Sequence, residues 1–335
     1  MNKKICLLFL MIFIITFACS CDNNKEVQKY AWPLATSSTD QTITHVFATS
    51  FAEEVGKLSD GRMQIQVYPQ STLGGDRELL ESCRDGDIPF IVQSPAPQVS
   101  FMNELSILDA PCLFSSIDEA RERVSNKEFK TEIQKIYNKS GYILLGIADQ
   151  GFRVMTTNSP YEDYSSFEGQ KIRTMENKFH IMFWKAIGAN PTPMSFSEVY
   201  IGLQQGTIDA EENAYETIVG SKLYEQQKNV VKTNAVPDYT TLVMSKSFFD
   251  ELDKKDQEII NQAAVTAEKK ANEEADKRID MREKTLKEEG INIYDVDEDT
   301  WGKMQEASKP VYEAIKKVQG DKLKLYNIYI GDVIE

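Results

Sequence analysis

The chain has 335 residues, 41% of them hydrophobic, enough for one large core or two medium ones, and its length favours two domains. Acidic residues outnumber basic ones by 52 to 38, a formal net charge of −14, and no block of Lys and Arg supplies the basic face of a nucleic-acid binder. That acidity repels anions at long range, so an anionic ligand must be won locally, by a few buried cations.

Lys3 and Lys4 precede an apolar run from Ile5 to Phe17. The run is shorter than the roughly 20 residues of a membrane-spanning helix, so residues 1–18 read as a signal peptide. Thr16-Phe-Ala-Cys19 and Ala18-Cys-Ser-Cys21 both resemble a relaxed bacterial lipobox. That resemblance implies acylation of Cys19 or Cys21, residues 19–28 as a polar tether, and a lipoprotein in the periplasm or on the cell surface. Of the cysteines beyond the signal and lipobox, Cys83 and Cys112, neither has the spacing of a metal site. Cys112 lies in an apolar run that suits a buried free thiol. His45 and His180 are far apart, which argues against a histidine metal centre or a catalytic triad.

Strands and helices alternate from the start. Tyr30 to Ala35 reads as a strand, Thr44 to Ser59 as an amphipathic helix stopped by Gly61, and Met63 to Tyr68 as a second strand. Gly74-Gly75 opens a helix over Asp76 to Asp85, followed by a buried strand from Ile88 to Val92. One helix from Asp118 to Tyr137 leads to a strand from Tyr142 to Ala148, and the pattern restarts at Gly151 with strands Arg153–Thr156 and Lys171–Thr174. A helix over Lys178–Ile187, an S-x-x-E capping box at Ser195 and Glu198, and a short strand Thr207–Asp209 follow. Val230–Val236 and Thr240–Ser245 are extended. From Asp253 to Glu289 runs one long polar helix with an alanine seam, poor knob material for a coiled coil and better suited to a strut across two domains. The βαβ repetition predicts an α/β fold of mostly parallel sheets covered by helices.

Between residues 150 and 230 a more specific pattern appears. Gly151-Phe-Arg-Val-Met-Thr-Thr-Asn158, Phe167-Glu-Gly-Gln-Lys-Ile-Arg173, Gly188-Ala-Asn-Pro-Thr-Pro-Met-Ser-Phe-Ser-Glu-Val-Tyr200, Leu203-Gln-Gln-Gly-Thr-Ile-Asp209 and Glu212-Asn213 follow in order. Leu73-Gly-Gly-Asp-Arg-Glu-Leu79 and Leu108-Asp-Ala-Pro-Cys-Leu-Phe114 belong with them. Together they resemble the substrate-binding subunit of tripartite ATP-independent periplasmic (TRAP) transporters over about residues 30 to 330. The resemblance implies a two-domain periplasmic-binding-protein fold with a hinge, closing around a ligand in the interdomain cleft, and a long helix across both domains. Residues 29–150 with 239–278 would form domain I, and 151–238 with 279–335 domain II. It also implies a ligand carboxylate paired with Arg173, support from Arg153 and Asn213, and Phe196 packed beside the site.

The residues support this on their own chemistry. Arg173 ends a strand, where open α/β sheets place ligands, and a guanidinium fork matches a carboxylate. The opposing reading pairs it with Glu176. Arg153 follows the domain boundary, and Asn213 can both donate and accept. Asp76 and Arg77 at a helix mouth, and Gln93 and Ser94 past a strand end, are candidates to reach the cleft from the other domain. Where the family commonly has Asp-Gly-Gln-Glu-Asn, this chain has Asp209-Ala-Glu-Glu-Asn213, which adds a charge at Glu211. Glu176 and Asn177 suit sugar hydroxyls, so a sugar acid of uronate type is favoured over a C4-dicarboxylate. The expected function is capture of an organic acid by domain closure and delivery to a membrane permease, with no cofactor and no catalysis. An acidic-sugar lyase or hydrolase is the rival reading. It would require a tuned base or a metal, and the chain has no GxSxG, HExxH or phosphate-binding glycine loop.

Overall fold

The computed structural model describes residues 30–320 and 323–331. The signal segment, Cys19, Cys21 and the tether therefore lie outside the described residues. In chain order the elements are β1 (Trp32–Ala35), α1 (Ile43–Leu58), β2 (Ile65–Tyr68), α2 (Asp76–Asp85), β3 (Phe90–Gln93), α3 (Ile117–Ser125), α4 (Lys127–Lys139) and β4 (Tyr142–Thr157). Then come β5 (Lys171–Thr174), α5 (Lys178–Ala186), β6 (Asn190–Pro193), α6 (Phe196–Gln205), β7 (Ala210–Ala214), α7 (Tyr215–Gly220), β8 (Asn229–Lys232) and β9 (Pro237–Ser245). The chain closes with α8 (Lys246–Glu251), α9 (Lys254–Glu288), β10 (Asn292–Asp295), α10 (Glu298–Gln319) and α11 (Lys324–Tyr329).

The sheet runs β2-β1-β3-β9-β4-β7-β5-β6, with β8 and β10 branching from β4. β4 serves both halves: Tyr142–Phe152 pairs with β9, and Arg153–Thr157 pairs with β7 and β8. β9 and β4 run antiparallel to their neighbours, so the sheet is mixed where alternation alone predicted mostly parallel strands.

Several local expectations are corrected. The restart at Gly151 is a bulge inside a continuous strand, between Asp149 and Phe152, where Gly151 takes a φ of +88°. The single helix expected over Asp118–Tyr137 is two, because the Asn126 side chain accepts from the backbone N–H of Glu128 and Phe129 and starts a new helix. The capping box at Ser195 and Glu198 does not form, since Ser195 makes no side-chain cap bond. The strand expected at Thr207–Asp209 lies at Ala210–Ala214, which puts Asn213 inside it.

α9 is the expected long helix, 35 residues, about 52 Å at 1.5 Å per residue. Ala263, Ala267, Ala271 and Ala275 are buried. These small side chains let α9 lie close on β4 and α1 and continue to α7, so the seam packs inside this chain. Its polar groups also repair β4 at the bulges: Glu268 accepts from the Ile147 N–H and Asn272 from the Asp149 N–H, both at 3.3 Å. One apolar cluster lies under α1 and α9 (Phe47, Phe51, Phe90, Leu242), another under α6 and α7 (Val154, Val199, Ile218), and the largest covers the opposite faces, joining Ile91 and Tyr137 to Phe179 and Trp184. α11 packs against α3 and α4. Among the described residues no helix is long and apolar enough to cross a membrane. Cys83 and Cys112 are both buried free thiols.

Candidate functional site

The carboxyl ends of β1, β3, β5 and β7 converge on a small cavity of about 40 Å³. Ser37 and Ser38 come from beyond β1, Asp76 from the mouth of α2, and Ser94 from beyond β3. From the other side come Arg173, Met175, Phe196, Asn213 and Thr217, with Gln150 and Arg153 of β4 and Asp238 of β9 between them.

Arg173 is held but not neutralised. It is 2% exposed. Its Nε and Nη2 donate to the Met194 carbonyl at 3.0 and 2.9 Å, which fixes the plane of the guanidinium. Its ring neighbour is Phe196, 5.9 Å from the guanidinium carbon to the centroid. Nη1 is buried with no partner among the described residues, an uncommon state for a charged donor. Burial, and then the nearby Arg153 charge, lower its pKa to about 10, so it stays charged at neutral pH, near the acids Glu211, Glu212 and Asp76 but with no direct ion pair to any of them. The opposing reading, a pair with Glu176, does not occur: Glu176 is exposed.

Arg153 lines the same cavity, but four of its five N–H donors are already bonded inside the protein. It pairs with the Glu212 carboxylate and carbonyl, with Asp238 at 2.8 Å, and with Asn213 Oδ1 at 3.0 Å. Burial opposes the charges, but Arg153 and His180 overcome it and hold the Glu212 carboxyl at about 2. His180 stands between Asp109 (3.1 Å) and Glu212 (3.2 Å). Against the cost of burial, these two acids raise its pKa to about 9, so it is a cation. Asn177, expected to meet a ligand hydroxyl, is consumed here. Its amide donates to Asp109 and to the Ala96 carbonyl, while its oxygen caps α5.

The remaining candidates divide. Asp76 accepts from Ser37 at 2.6 Å and faces Arg173 without bonding to it; burial pushes its carboxyl above the usual range. Arg77 and Glu176 line a second, outer chamber of about 180 Å³ that shares Asp76, Arg173, Met175 and Phe196 with the first. Arg77 there pairs with Glu81 and lies over Phe101. Gln93 is buried with neither amide atom bonded among the described residues, next to Ser94 but not on the cavity wall. Residues that local reasoning missed are Ser37, Ser38, Gln150, Thr217 and Asp238 on the wall, and Asp109 and Glu212 behind it. Glu211-Glu212 sit mid-strand in a segment buried at all five positions, and buried carboxyls demand partners; the sequence displays the adjacent acids but not their burial.

Residues 34–318 match the family described as bacterial extracellular solute-binding protein, family 7. The chain belongs to that family. Its members bind solutes and are not enzymes. Among the relatives of this family 7 protein is a solute-binding protein of Verminephrobacter eiseniae, 35% identical over 216 residues, 64% of either chain. A C4-dicarboxylate-binding periplasmic protein of Vibrio cholerae is 29% identical over 331 residues, 96% of this chain and 97% of that one. The fold is similar to a TRAP periplasmic solute-binding protein from Polaromonas solved with D-erythronate bound, with a TM-score of 0.84, 29% identity, and coverage of 90% and 98% of the two chains.

Proposed function

We propose that this protein captures a sugar acid through Arg173, closes around it, and hands it to a TRAP permease. The observation that carries the reading is a buried guanidinium whose Nη1 group has no partner among the described residues, on the wall of a cavity lined mainly by hydroxyls and amides, with the carboxyls of Asp76 and Asp238. Arg153 is already paired with two carboxylates, so among the described residues Arg173 is the lining cation without a direct ion pair and the one offered to a ligand carboxylate. Ser37, Ser38, Ser94, Thr217, Gln150 and Asn213 suit a polyol tail, and Asp76 is an acceptor for its hydroxyls. A second carboxylate of a C4-dicarboxylate would meet Asp76 and Asp238 instead. The D-erythronate of the Polaromonas relative fits this preference.

Ligand sites commonly enclose about 300–1,000 Å³, so the cavity must open to admit even a small acid. The reading places the two lobes at residues 29–150 with 239–278, and 151–238 with 279–335, with α11 riding on the first. The hinge is then the bulged stretch of β4 at Asp149–Phe152 with the start of β9. Thr39 to the Gly220 carbonyl (3.2 Å) and Asn177 to the Ala96 carbonyl (2.9 Å) are contacts that opening would break. Export and anchoring through Cys19 or Cys21 belong to the same proposal and rest on the N-terminal sequence.

Charge-assisted hydrogen bonds contribute about 1.5–3 kcal/mol each, and micromolar binding needs about 8 kcal/mol. Titration calorimetry with D-erythronate, D-glucuronate and succinate tests the assignment. Sugar acids should bind the wild type, and Arg173→Ala should weaken them by roughly 10- to 100-fold or more. Binding of succinate alone, or unaltered affinity in the variant, overturns it.

A further inference from the structure

Glu211 is fully buried beside Arg173: the two are register partners on β7 and β5, and Thr156 of β4 is the partner on the other side. Its carboxyl nevertheless meets only neutral donors. Thr156 Oγ1 lies 2.8 Å from Oε1, and the Asn213 amide donates to Oε2. The Thr156 hydroxyl also lies 3.1 Å from Gln227 Oε1, whose amide orientation is set by Nε2 donating to the Gln226 carbonyl at 3.0 Å. A hydroxyl has one hydrogen for these two acceptors. With Glu211 ionised, Thr156 donates to it and Gln227 Oε1 goes without. With Glu211 protonated, its O–H donates to Thr156, which donates to Gln227, and every group is satisfied.

The charges around the cavity point the same way. Asp109, Glu212 and Asp238, three acids, are held by direct pairs to two cations, His180 and Arg153. What remains is Arg173 facing Asp76 and Glu211, so an arriving carboxylate competes with both for one cation. The charged groups acting on Glu211 are Arg153 from β4 and Arg173 from β5; α6 and α7 bring apolar Val199 and Ile218 to the sheet.

We propose that Glu211 takes up a proton from solvent when a ligand carboxylate seats on Arg173, so that capture is coupled to protonation and tightens as pH falls. One negative charge and one proton enter together, and the buried charge of the cluster is unchanged. The inference rests on the carboxylate reading above. Burial already raises the Glu211 carboxyl to about 7 in the unliganded protein, with Asn213, Thr156 and the two arginines opposing. The coupling therefore operates above neutral pH, where Glu211 starts ionised, and fades below it.

Calorimetry of the full chain with D-erythronate and with succinate, from pH 6 to 9 in two buffers of different ionisation enthalpy, counts the protons. The wild type should take up close to one proton per ligand above pH 7 and lose about tenfold in affinity per pH unit there. Glu211→Gln keeps the shape and removes the titration, so its profile should be flat. Wild-type binding with no buffer dependence, or a variant that retains the slope, overturns the coupling while leaving the carboxylate reading in place. Failure of the wild type to bind either acid sinks both.

Discussion

Arg173 and Arg153 face one cavity with opposite obligations. Arg153 pairs with Glu212 and Asp238 inside the protein, all three buried. Removing one partner of a buried pair typically costs about 3–5 kcal/mol, so Arg153→Ala should lower the urea midpoint sharply. Arg173→Ala removes a cation that makes no direct ion pair, so it should lower that midpoint much less than Arg153→Ala does. A large loss of stability in the Arg173 variant would contradict the division of labour. His180 gives a pH signature. Its pKa is about 9 when folded against an ordinary value of 6.5, so its contribution is complete below about 6.5 and is lost as pH rises through 9. Urea unfolding from pH 6.5 to 9.5 should show that decline in the wild type and not in His180→Gln. Arg173 was legible because a strand-end arginine is a local feature. The partners of Arg153 were not, because Glu212 and Asp238 come from strands 59 and 85 residues away.

At the scale of the element, helix and strand periods located most segments to within a few residues. The failures lie where a side chain overrides the period: Asn126 capping a new helix within one apolar stripe, and Gly151 bulging β4 where the pattern looked like a stop. Gly75 shows how an element end serves the cleft. It precedes α2 with an extended φ of −78°, so any residue fits its backbone. A Cβ there, however, would lie 2.9 Å from Glu78 Oε2 and 3.2 Å from Ser195 Oγ of the opposite wall. Gly75→Val should therefore weaken ligand binding by about tenfold or more, since a barrier of 1.4 kcal/mol to closure suffices. Its thermal midpoint without ligand should hold. A variant that binds as tightly as the wild type would show that the two walls do not meet at this point.

For the whole molecule, α9 is the piece that ties both halves of the sheet together. Arg278 and Arg282 on it pair with buried Glu216 of α7 at 2.8 and 2.7 Å, and both donate to the Gln41 carbonyl before α1. The arginines are partly exposed, so this clasp contributes about 1–2 kcal/mol, less than a fully buried pair. Glu216→Ala should shift the ligand-free protein toward open forms. Small-angle scattering should then show a larger radius of gyration that saturating D-erythronate reverses; an unchanged radius would remove Glu216 from the closing machinery.

The alternation of strands and helices, the long helix and the arginine at the tip of β5 were legible over a few neighbouring positions, while the two-domain arrangement and the ligand role expected of Arg173 came from the family resemblance of longer motifs. Tertiary structure alone decided that Arg153 is internally paired, that Asn177 and His180 belong to a buried charge network, and that Glu211 stands beside Arg173 without a direct ion pair. Those outcomes depend on which distant carboxyls share a low-dielectric interior, and no local pattern carries that information.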